Sequence, residues 1–190
     1  MFVNIRGTGG SGKSTVVRRV MELYAEKHPQ FLEGRRQPIA YRLNRAGTAL
    51  SPLLVPGHYE TACGGCDTIK TPDQVYSLLT EAFGLGMDGL YEGIIVQDDV
   101  TRALDFAKLV GRENFLVIGL TTPLDVCLEG IQARRDERGD TRELNPKNTT
   151  SRADRVKRSL SRLADAGITV KKLDREAAFE FAKGALSLGE

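Results

Sequence analysis

The chain has 190 residues with 27 Lys and Arg against 25 Asp and Glu, a balance that neither favours nor excludes a nucleic-acid partner. Its length and its 41% hydrophobic content fit one domain over residues 1–190 and exclude a disordered chain. No apolar run reaches the roughly 18 residues of a membrane span, and three cysteines are too few for a disulfide scaffold, which favours a cytoplasmic protein with no membrane partner.

Short apolar runs alternate with helical patterns along the chain, which predicts βαβ units around a parallel sheet. Strands are predicted at residues 2–6, 38–43, 90–96, 114–120 and 168–173. Helices are predicted at residues 13–27, from 72 onward, at 100–110, 124–138 and 151–166, and after the last strand. Residues 44–70 are expected to be rich in loops. We therefore expect an α/β fold: a three-layer α/β/α sandwich with a five-stranded parallel sheet.

A phosphate-binding loop is indicated by GTGGSGKS at residues 7–14, which matches the pattern GxxxxGK[ST] between a predicted strand and helix. Glycines let successive backbone N–H groups point at one phosphate, and the helix adds its positive N-terminal end. Lys13 can reach the β- and γ-phosphates, and the Ser14 hydroxyl can ligate Mg²⁺. The predicted nucleotide-binding residues here are Gly7, Thr8, Gly9, Gly10, Ser11, Gly12, Lys13, Ser14 and Thr15.

This loop occurs in signalling GTPases, in remodelling ATPases and in small kinases. The guanine-reading pattern NKxD is not apparent, because the sequence NPKN at 145–148 lacks the aspartate. The chain is also short for a remodelling ATPase with its helical lid domain. Small kinases that use ATP and Mg²⁺ in a P-loop NTPase fold therefore remain.

Such a kinase needs a carboxylate at the end of a neighbouring strand, to hold Mg²⁺ or to take the acceptor's proton. If the third strand ends in the sequence LYEG, the acid is Glu92, and Gly93 lets the backbone pass close by. If the strand runs on to Val96, the acid is Asp98. We favour Glu92, since Asp98 and Asp99 also fit a helix N-cap ahead of residues 100–110.

A cationic lid is predicted at about residues 134–150, where a helix ends in Arg134, Arg135 and Arg138 before a mobile loop over 139–150. These arginines can fold over the transferred phosphoryl group, and Arg135 is then a nucleotide-binding residue. Alternatively, their positive charges simply stabilise the helix by interacting with the negative C-terminal end of its dipole. On the next predicted helix a basic arc is formed by Arg152, Arg155, Arg158 and Arg162. This arc is either a solvated face or a grip on a phosphate backbone.

The acceptor pocket is expected in residues 55–69, between the second strand and the following helix. His58, Tyr59, Glu60 and Asp67 supply hydrogen-bonding groups and a ring in a loop that glycines make flexible. Tyr59 can stack on a base, and Asp67 or Glu60 can orient a hydroxyl. The spacing of Cys63 and Cys66 is a weak metal signal, because no second CxxC exists, and ordinary loop packing is the favoured interpretation.

The phosphate loop, LYEG at 90–93 and ARRDERG at 133–139 resemble P-loop kinases of the nucleotide and nucleoside kinase superfamily over nearly the whole chain. GHYETACGGCDTI at 57–69, with the compact lid, resembles the bacteriophage kinases that phosphorylate 5-hydroxymethyluracil in DNA. This resemblance implies ATP binding by residues 7–14, acid/base or metal-binding roles for Glu92 and Asp67, an acceptor site in residues 57–69, and a location in the host cytoplasm.

The leading hypothesis is phosphoryl transfer from ATP to hydroxymethyluracil in DNA, with Lys13, Glu92, Asp67, Arg134 and Arg138 as catalytic residues. A base inside a duplex must first be extruded before an enzyme can reach it. A kinase of free nucleosides, nucleotides or small metabolites is the alternative within the same chemistry. A nucleotide-gated interaction module without transfer is the alternative from another class.

Overall fold

The computed structural model of the protein describes residues 1–44, 51–61 and 64–188. Within them the strands are β1 Phe2–Arg6, β2 Glu26–Gln30, β3 Ala40–Asn44, β4 Leu53–Pro56, β5 Asp88–Glu92, β6 Phe115–Leu120 and β7 Thr169–Leu173. The α-helices are α1 Lys13–Glu22, α2 Pro72–Gly84, α3 Ile94–Gln97, α4 Thr101–Val110, α5 Leu124–Glu137, α6 Pro146–Asp165 and α7 Arg175–Ala185. Short 3₁₀ helices lie at Cys66–Thr68 and Arg112–Asn114. None of the helices in these ranges is both long and apolar enough to cross a membrane.

The described strands form one sheet in the order β2-β3-β4-β5-β1-β6-β7. Strands β4, β5, β1, β6 and β7 run parallel, whereas β3 and β2 continue the sheet in antiparallel pairs. The prediction of a five-stranded parallel sheet is therefore wrong in two ways. The strand predicted at 38–43 is the antiparallel β3, and the parallel strand β4 lies in a segment that was expected to be loops.

The first helix is also shorter than predicted, since α1 ends at Glu22 and residues 26–30 form the edge strand β2. All five residues of β2 are exposed, so apolar and polar side chains do not alternate along this strand. The strand is held in the sheet by its antiparallel pairing with β3. Pro29 is compatible with β2 because an edge strand leaves one row of backbone groups without a neighbouring strand. The sequence pattern therefore carried no signal for this strand.

Helices cover both faces of the sheet, as the sequence predicts for an α/β fold. On one face the core joins Phe2 and Phe115 to helices α2, α4 and α6, with Leu79 and Phe106 among its buried residues. On the other face a second core joins Val3 and Leu116 to α1 and α7, with Val17 and Phe179 among its buried residues. Side chains two residues apart on a strand point to the same face, so β1 and β6 supply both cores.

The predicted lid region contains the end of α5, the connection over residues 138–145 and the beginning of α6. Helix α6 begins at Pro146, five residues earlier than the helix predicted at 151, so residues 146–150 belong to a helix. The Asn145 side chain accepts a hydrogen bond from the backbone N–H of Lys147, and proline stands at the first helical position. An N-cap followed by proline is a helix start signal that this segment already contained.

Candidate functional site

The phosphate loop joins the end of β1 to α1 at the carboxyl edge of the parallel strands. At this edge Gly10 has a φ of 80° and packs against α5, where a Cβ atom would lie 2.0 Å from the carbonyl oxygen of Cys127. Only glycine fits this position, because both the backbone conformation and the contact exclude a side chain. The sequence motif thus has the strand–loop–helix context that phosphate binding requires.

Lys13, the first residue of α1, folds back over the loop that precedes it. Its Nζ atom donates hydrogen bonds to the carbonyl oxygens of Gly7, at 2.8 Å, and Thr8, at 3.1 Å. Burial lowers the pKa of Lys13, while the nearby carboxylates of Glu92 and Asp67 oppose that shift. The loop therefore holds a buried ammonium group at its rim, with two carboxylates near enough to favour the charged form.

Glu92 ends β5, as the favoured sequence interpretation predicts, and Ile94–Gln97 form the short helix α3 in place of a longer strand. Its Oε1 atom accepts a hydrogen bond of 2.7 Å from the Ser14 hydroxyl. Burial raises the pKa of Glu92, and Lys13 opposes this shift. Asp99 instead accepts a hydrogen bond from the backbone N–H of Arg102 in the first turn of α4, the alternative role that its position suggested.

A cavity of about 390 Å³ opens over these residues. Its described lining includes six cationic side chains, Lys13, Arg18, Arg134, Arg138, Arg152 and Arg175, and two carboxylates, Asp67 and Glu92. An excess of cations beside the backbone N–H groups of a phosphate loop favours a ligand with several negative charges. The hydroxyl and carboxylate oxygens of Ser14 and Glu92 are the ligand type that Mg²⁺ prefers, so this pair fits a magnesium nucleotide.

Among the predicted lid arginines, the structure brings two to the cavity and directs the third elsewhere. Arg134 donates from Nε to the carbonyl oxygen of Gly130, and Arg138 donates from Nε to that of Arg134, both at 3.0 Å. Arg135, in contrast, donates from Nη1 to the carbonyl oxygen of Arg142 at 2.7 Å and does not line the cavity. We therefore assign Arg135 to the connection between α5 and α6.

The residues predicted to form the acceptor pocket are also divided. Asp67 lines the cavity, and its Oδ1 atom accepts a hydrogen bond of 2.9 Å from the backbone N–H of Ile95. Gly93 permits this arrangement, because a Cβ atom there would lie 2.9 Å from Cβ of Cys66. Asp67 and Glu92 are therefore held at one site by the contact between β5 and the 3₁₀ helix Cys66–Thr68.

His58, Tyr59 and Glu60 do not line this cavity in the described structure. The Tyr59 ring is buried in the core beside α1, so it does not offer a face on which a base could stack. Glu60 accepts a hydrogen bond from the Tyr41 hydroxyl and lies 3.1 Å from Nδ1 of His58. Burial lowers the pKa of His58, with Arg35 and Arg18 adding to the shift. His58 and Glu60 therefore lie beside each other, and Tyr59 packs in the core with α1, so that none of the three belongs to the described lining of the cavity.

The possible metal ligand Cys63 lies outside the described residues, so the CxxC interpretation stays a prediction. Its partner Cys66 is buried, and burial raises the pKa of its thiol well above the ordinary range. Among the residues that the structure describes, no group of three or more His, Cys, Asp and Glu could hold a metal ion.

Two arginines of the cavity had no assigned role in the sequence. Arg18 lies one helical turn after Ser14 on α1 and donates from Nε to the carbonyl oxygen of Tyr59 at 3.1 Å. This spacing of four residues was a usable signal, since such residues share a helix face. Arg175 begins α7, and its side chain lies so close to Gly12 that a Cβ atom there would be 2.4 Å from Cδ of Arg175. That contact depends on packing between α1 and α7, for which no local pattern exists.

Arg6, the last residue of β1, forms a buried hub that the sequence did not reveal. Its guanidinium donates to Oδ1 of Asn4 at 2.6 Å and to the carbonyl oxygens of Gln97 and Asp99, each at 2.9 Å. The Ser159 hydroxyl of α6 donates to the same Gln97 carbonyl oxygen at 2.8 Å. The strand that precedes the phosphate loop is thus joined to α3 and to α6.

Comparison with known proteins identifies phage relatives that are named 5-hmdU DNA kinase. The chain is 43% identical to that of Pseudomonas phage PaMx11 over 185 residues, which cover 97% of this chain and 96% of that protein. It is 26% identical to that of Bacillus phage SP10 over 174 residues, which cover 89% of this chain and 26% of that protein. The relative from Delftia phage PhiW-14 is 26% identical over 180 residues, 88% of this chain and 65% of that protein. No known family profile matches the chain.

Proposed function

We propose, since the chain belongs to the family of phage 5-hmdU DNA kinases, that it transfers the γ-phosphoryl group of ATP to the hydroxymethyl group of 5-hydroxymethyluracil in DNA. The observation that carries the proposal is the cavity at the carboxyl edge of the sheet. It combines a phosphate loop, a Ser–Glu pair, a second carboxylate and several arginines at one place. A P-loop kinase fold needs this combination for phosphoryl transfer.

In this proposal the loop at residues 7–14 holds the β- and γ-phosphates of ATP. Its backbone N–H groups and the beginning of α1 supply partial positive charge, and Lys13 adds a full charge at the loop rim. Arg134 and Arg138 approach the same cavity from α5, where they offset the negative charge that spreads over the transferred group. Catalysis is then mainly positioning together with electrostatic stabilisation.

The Ser14 hydroxyl oxygen would hold Mg²⁺, and the ion would supply positive charge that offsets part of the negative charge of the phosphates. The Ser14 hydroxyl donates a hydrogen bond to Glu92, which leaves the lone pairs of the hydroxyl oxygen directed away from that carboxylate. Glu92 therefore orients the Ser14 hydroxyl and places its own negative charge next to the proposed magnesium site. This assigns Glu92 to the support of the metal site rather than to the acceptor.

Asp67 is then the acceptor's base. The hydroxymethyl oxygen forms a bond to the γ-phosphorus, the bond from that phosphorus to the β–γ bridging oxygen breaks, and ADP leaves. The hydroxyl proton passes to the Asp67 carboxylate, one of whose oxygens is held by the Ile95 N–H. This contact fixes the orientation of the carboxylate, a requirement for a general base.

The test is transfer from γ-labelled ATP to a duplex that contains 5-hydroxymethyluracil. A matched duplex with thymine and the free hydroxymethylated nucleoside serve as comparison acceptors. We expect label in the modified duplex, none in the thymine duplex, and little in the nucleoside. Transfer should weaken steeply as salt rises, because binding to the DNA backbone releases counterions. Label in the free nucleoside alone would reject the DNA acceptor and favour a kinase of small nucleosides.

A further inference from the structure

The loop between β2 and β3, residues 31–38, exposes two adjacent apolar side chains. Phe31 is 56% exposed and Leu32 is 47% exposed, and both follow the last residue of β2. The backbone N–H of Arg35 donates to the carbonyl oxygen of Leu32 at 3.0 Å, which closes a turn behind them. We call residues 31–38 the hairpin loop. Phe31 and Leu32 are therefore presented to solvent by a turn that the backbone itself stabilises.

The strand register places the hairpin loop at the same sheet edge as the cavity. Ala40 pairs with Gln30 on one side and with Pro56 on the other, and Pro56 is the last residue of the parallel strand β4. The loop thus extends from the carboxyl edge, where β5 ends at Glu92. Strand β3 is two strands away from β5, about 10 Å at the usual strand spacing.

A direct contact joins the hairpin loop to the acceptor segment. Arg35 donates from Nη2 to the carbonyl oxygen of Thr68 at 2.6 Å, and Thr68 follows the cavity residue Asp67. The backbone N–H of Gly57 also donates to the carbonyl oxygen of Ile39, just after the loop. The position of Phe31 and Leu32 is therefore fixed relative to the cavity mouth.

The charges around this apolar pair suit a nucleic acid. The hairpin loop itself carries two cations, Arg35 and Arg36, and one carboxylate, Glu33. Proteins that open a duplex combine basic contacts to the phosphates with an apolar wedge that enters the base stack. An adjacent phenylalanine and leucine with basic neighbours, beside an acceptor cavity, have this composition.

We propose that the hairpin loop is the DNA-opening element of the enzyme, with Phe31 and Leu32 entering the base stack next to the nucleotide that is extruded into the cavity. This inference rests on the proposed function and adds to it a second contact surface, separate from the cavity. An acceptor base in a duplex is stacked and paired, so its extrusion costs free energy that a single strand does not require. The wedge supplies that free energy by replacing the lost stacking contacts.

The experiment compares transfer to a duplex and to a single strand of the same sequence, each with one 5-hydroxymethyluracil. The variant carries Phe31→Ala together with Leu32→Ala. Its matched control is Leu85→Ala, which removes a side chain that is 63% exposed at the opposite edge of the sheet, just before β5. A 2-aminopurine next to the target base reports unstacking in the duplex by its fluorescence.

We expect the double variant to lower kcat/KM on the duplex about tenfold or more, with a matching loss of the fluorescence increase. Transfer to the single strand should stay near the wild-type value, which also shows that the variant is folded. Unchanged duplex transfer, or an equal loss on both acceptors, would overturn the wedge. If the wild-type enzyme instead transferred label to the free nucleoside and to neither the duplex nor the single strand, the proposed function would be rejected, and the wedge with it.

Discussion

Replacing Glu92 with glutamine should raise the Mg²⁺ concentration that half-saturates phosphoryl transfer. Glutamine keeps the size of the side chain and an oxygen that can accept from the Ser14 hydroxyl, but it removes the negative charge. The buried carboxylate accepts this hydrogen bond at 2.7 Å in the wild-type protein. The substitution therefore isolates the electrostatic contribution of Glu92 to the serine that is proposed to bind the metal.

The magnitude follows from that one contact. A hydrogen bond to a charged group contributes about 1.5–3 kcal/mol and one between neutral groups about 0.5–1.5 kcal/mol, so the loss is about 1–2 kcal/mol. Such a loss corresponds to about a 5- to 30-fold change in an equilibrium constant. We expect the half-saturating Mg²⁺ concentration to rise by this factor, with kcat at saturating Mg²⁺ reduced less strongly.

The assay is label transfer from γ-labelled ATP at saturating nucleotide and DNA over a range of Mg²⁺ concentrations. Asp105→Asn is the matched control, because Asp105 is an exposed carboxylate on α4 that pairs with Lys108 away from the cavity. It should leave the magnesium curve unchanged. A wild-type magnesium curve for Glu92→Gln, with a loss confined to kcat, would refute the metal-side assignment and return Glu92 to the role of base.

The other predictions concern the same cavity. Asp67→Asn should lower kcat by about 100- to 10,000-fold, the usual contribution of a general base, and leave the magnesium midpoint in place; an unchanged kcat would exclude Asp67 as the base. Lys13→Ala should lower kcat by about 100-fold or more without changing the thermal unfolding temperature greatly, as calorimetry can check. Arg138→Ala should lower kcat more than it raises KM for ATP, whereas the kcat and KM of Arg135→Ala should stay close to the wild-type values. If both variants lost the same activity, the assignment of Arg138 to the cavity and of Arg135 to the connection between α5 and α6 would be contradicted. As the pH falls, the rate of transfer should begin to decline at a pH above 4.5, the ordinary pKa of glutamate, because the raised pKa of Glu92 means that it is protonated at a higher pH. As the pH rises, the rate should begin to decline at a pH below 10.5, the ordinary pKa of lysine, because the lowered pKa of Lys13 means that it loses its proton at a lower pH. A pH–rate profile that is flat between those values and beyond them would contradict both shifts.

The phosphate loop could be predicted from the sequence because its information is local. Eight consecutive residues specify the turn, the lysine and the hydroxyl, and the flanking patterns specify a strand and a helix. Glu92 was the favoured acid for a similarly local reason, since a glycine follows it. In the structure that glycine serves a different contact, because Gly93 packs against Cys66 and Asp67.

The acceptor side could not be predicted from local patterns, because burial there depends on which strands become neighbours. The antiparallel pair of β3 and β4 brings Tyr41 to Glu60, and this contact draws Glu60 away from the cavity. Tyr59 packs into the core beside α1, and Arg18 of that helix holds its backbone. A polar or aromatic residue in a glycine-rich loop therefore predicts a site only when its supporting strands are known.

The buried Arg6 explains how separate walls of the cavity are kept in place together. It has no carboxylate hydrogen-bond partner in the described structure, and its guanidinium is bound by the side chain of Asn4 and by backbone carbonyl oxygens. A buried cation of this kind is retained only where several acceptors converge on it. One of them, the Gln97 carbonyl oxygen, also binds Ser159 of α6, the helix that brings Arg152 to the cavity. The residue directly before the phosphate loop is therefore linked through Gln97 to α3, which follows Glu92, and to α6, and both of these helices contribute a residue to the lining of the cavity.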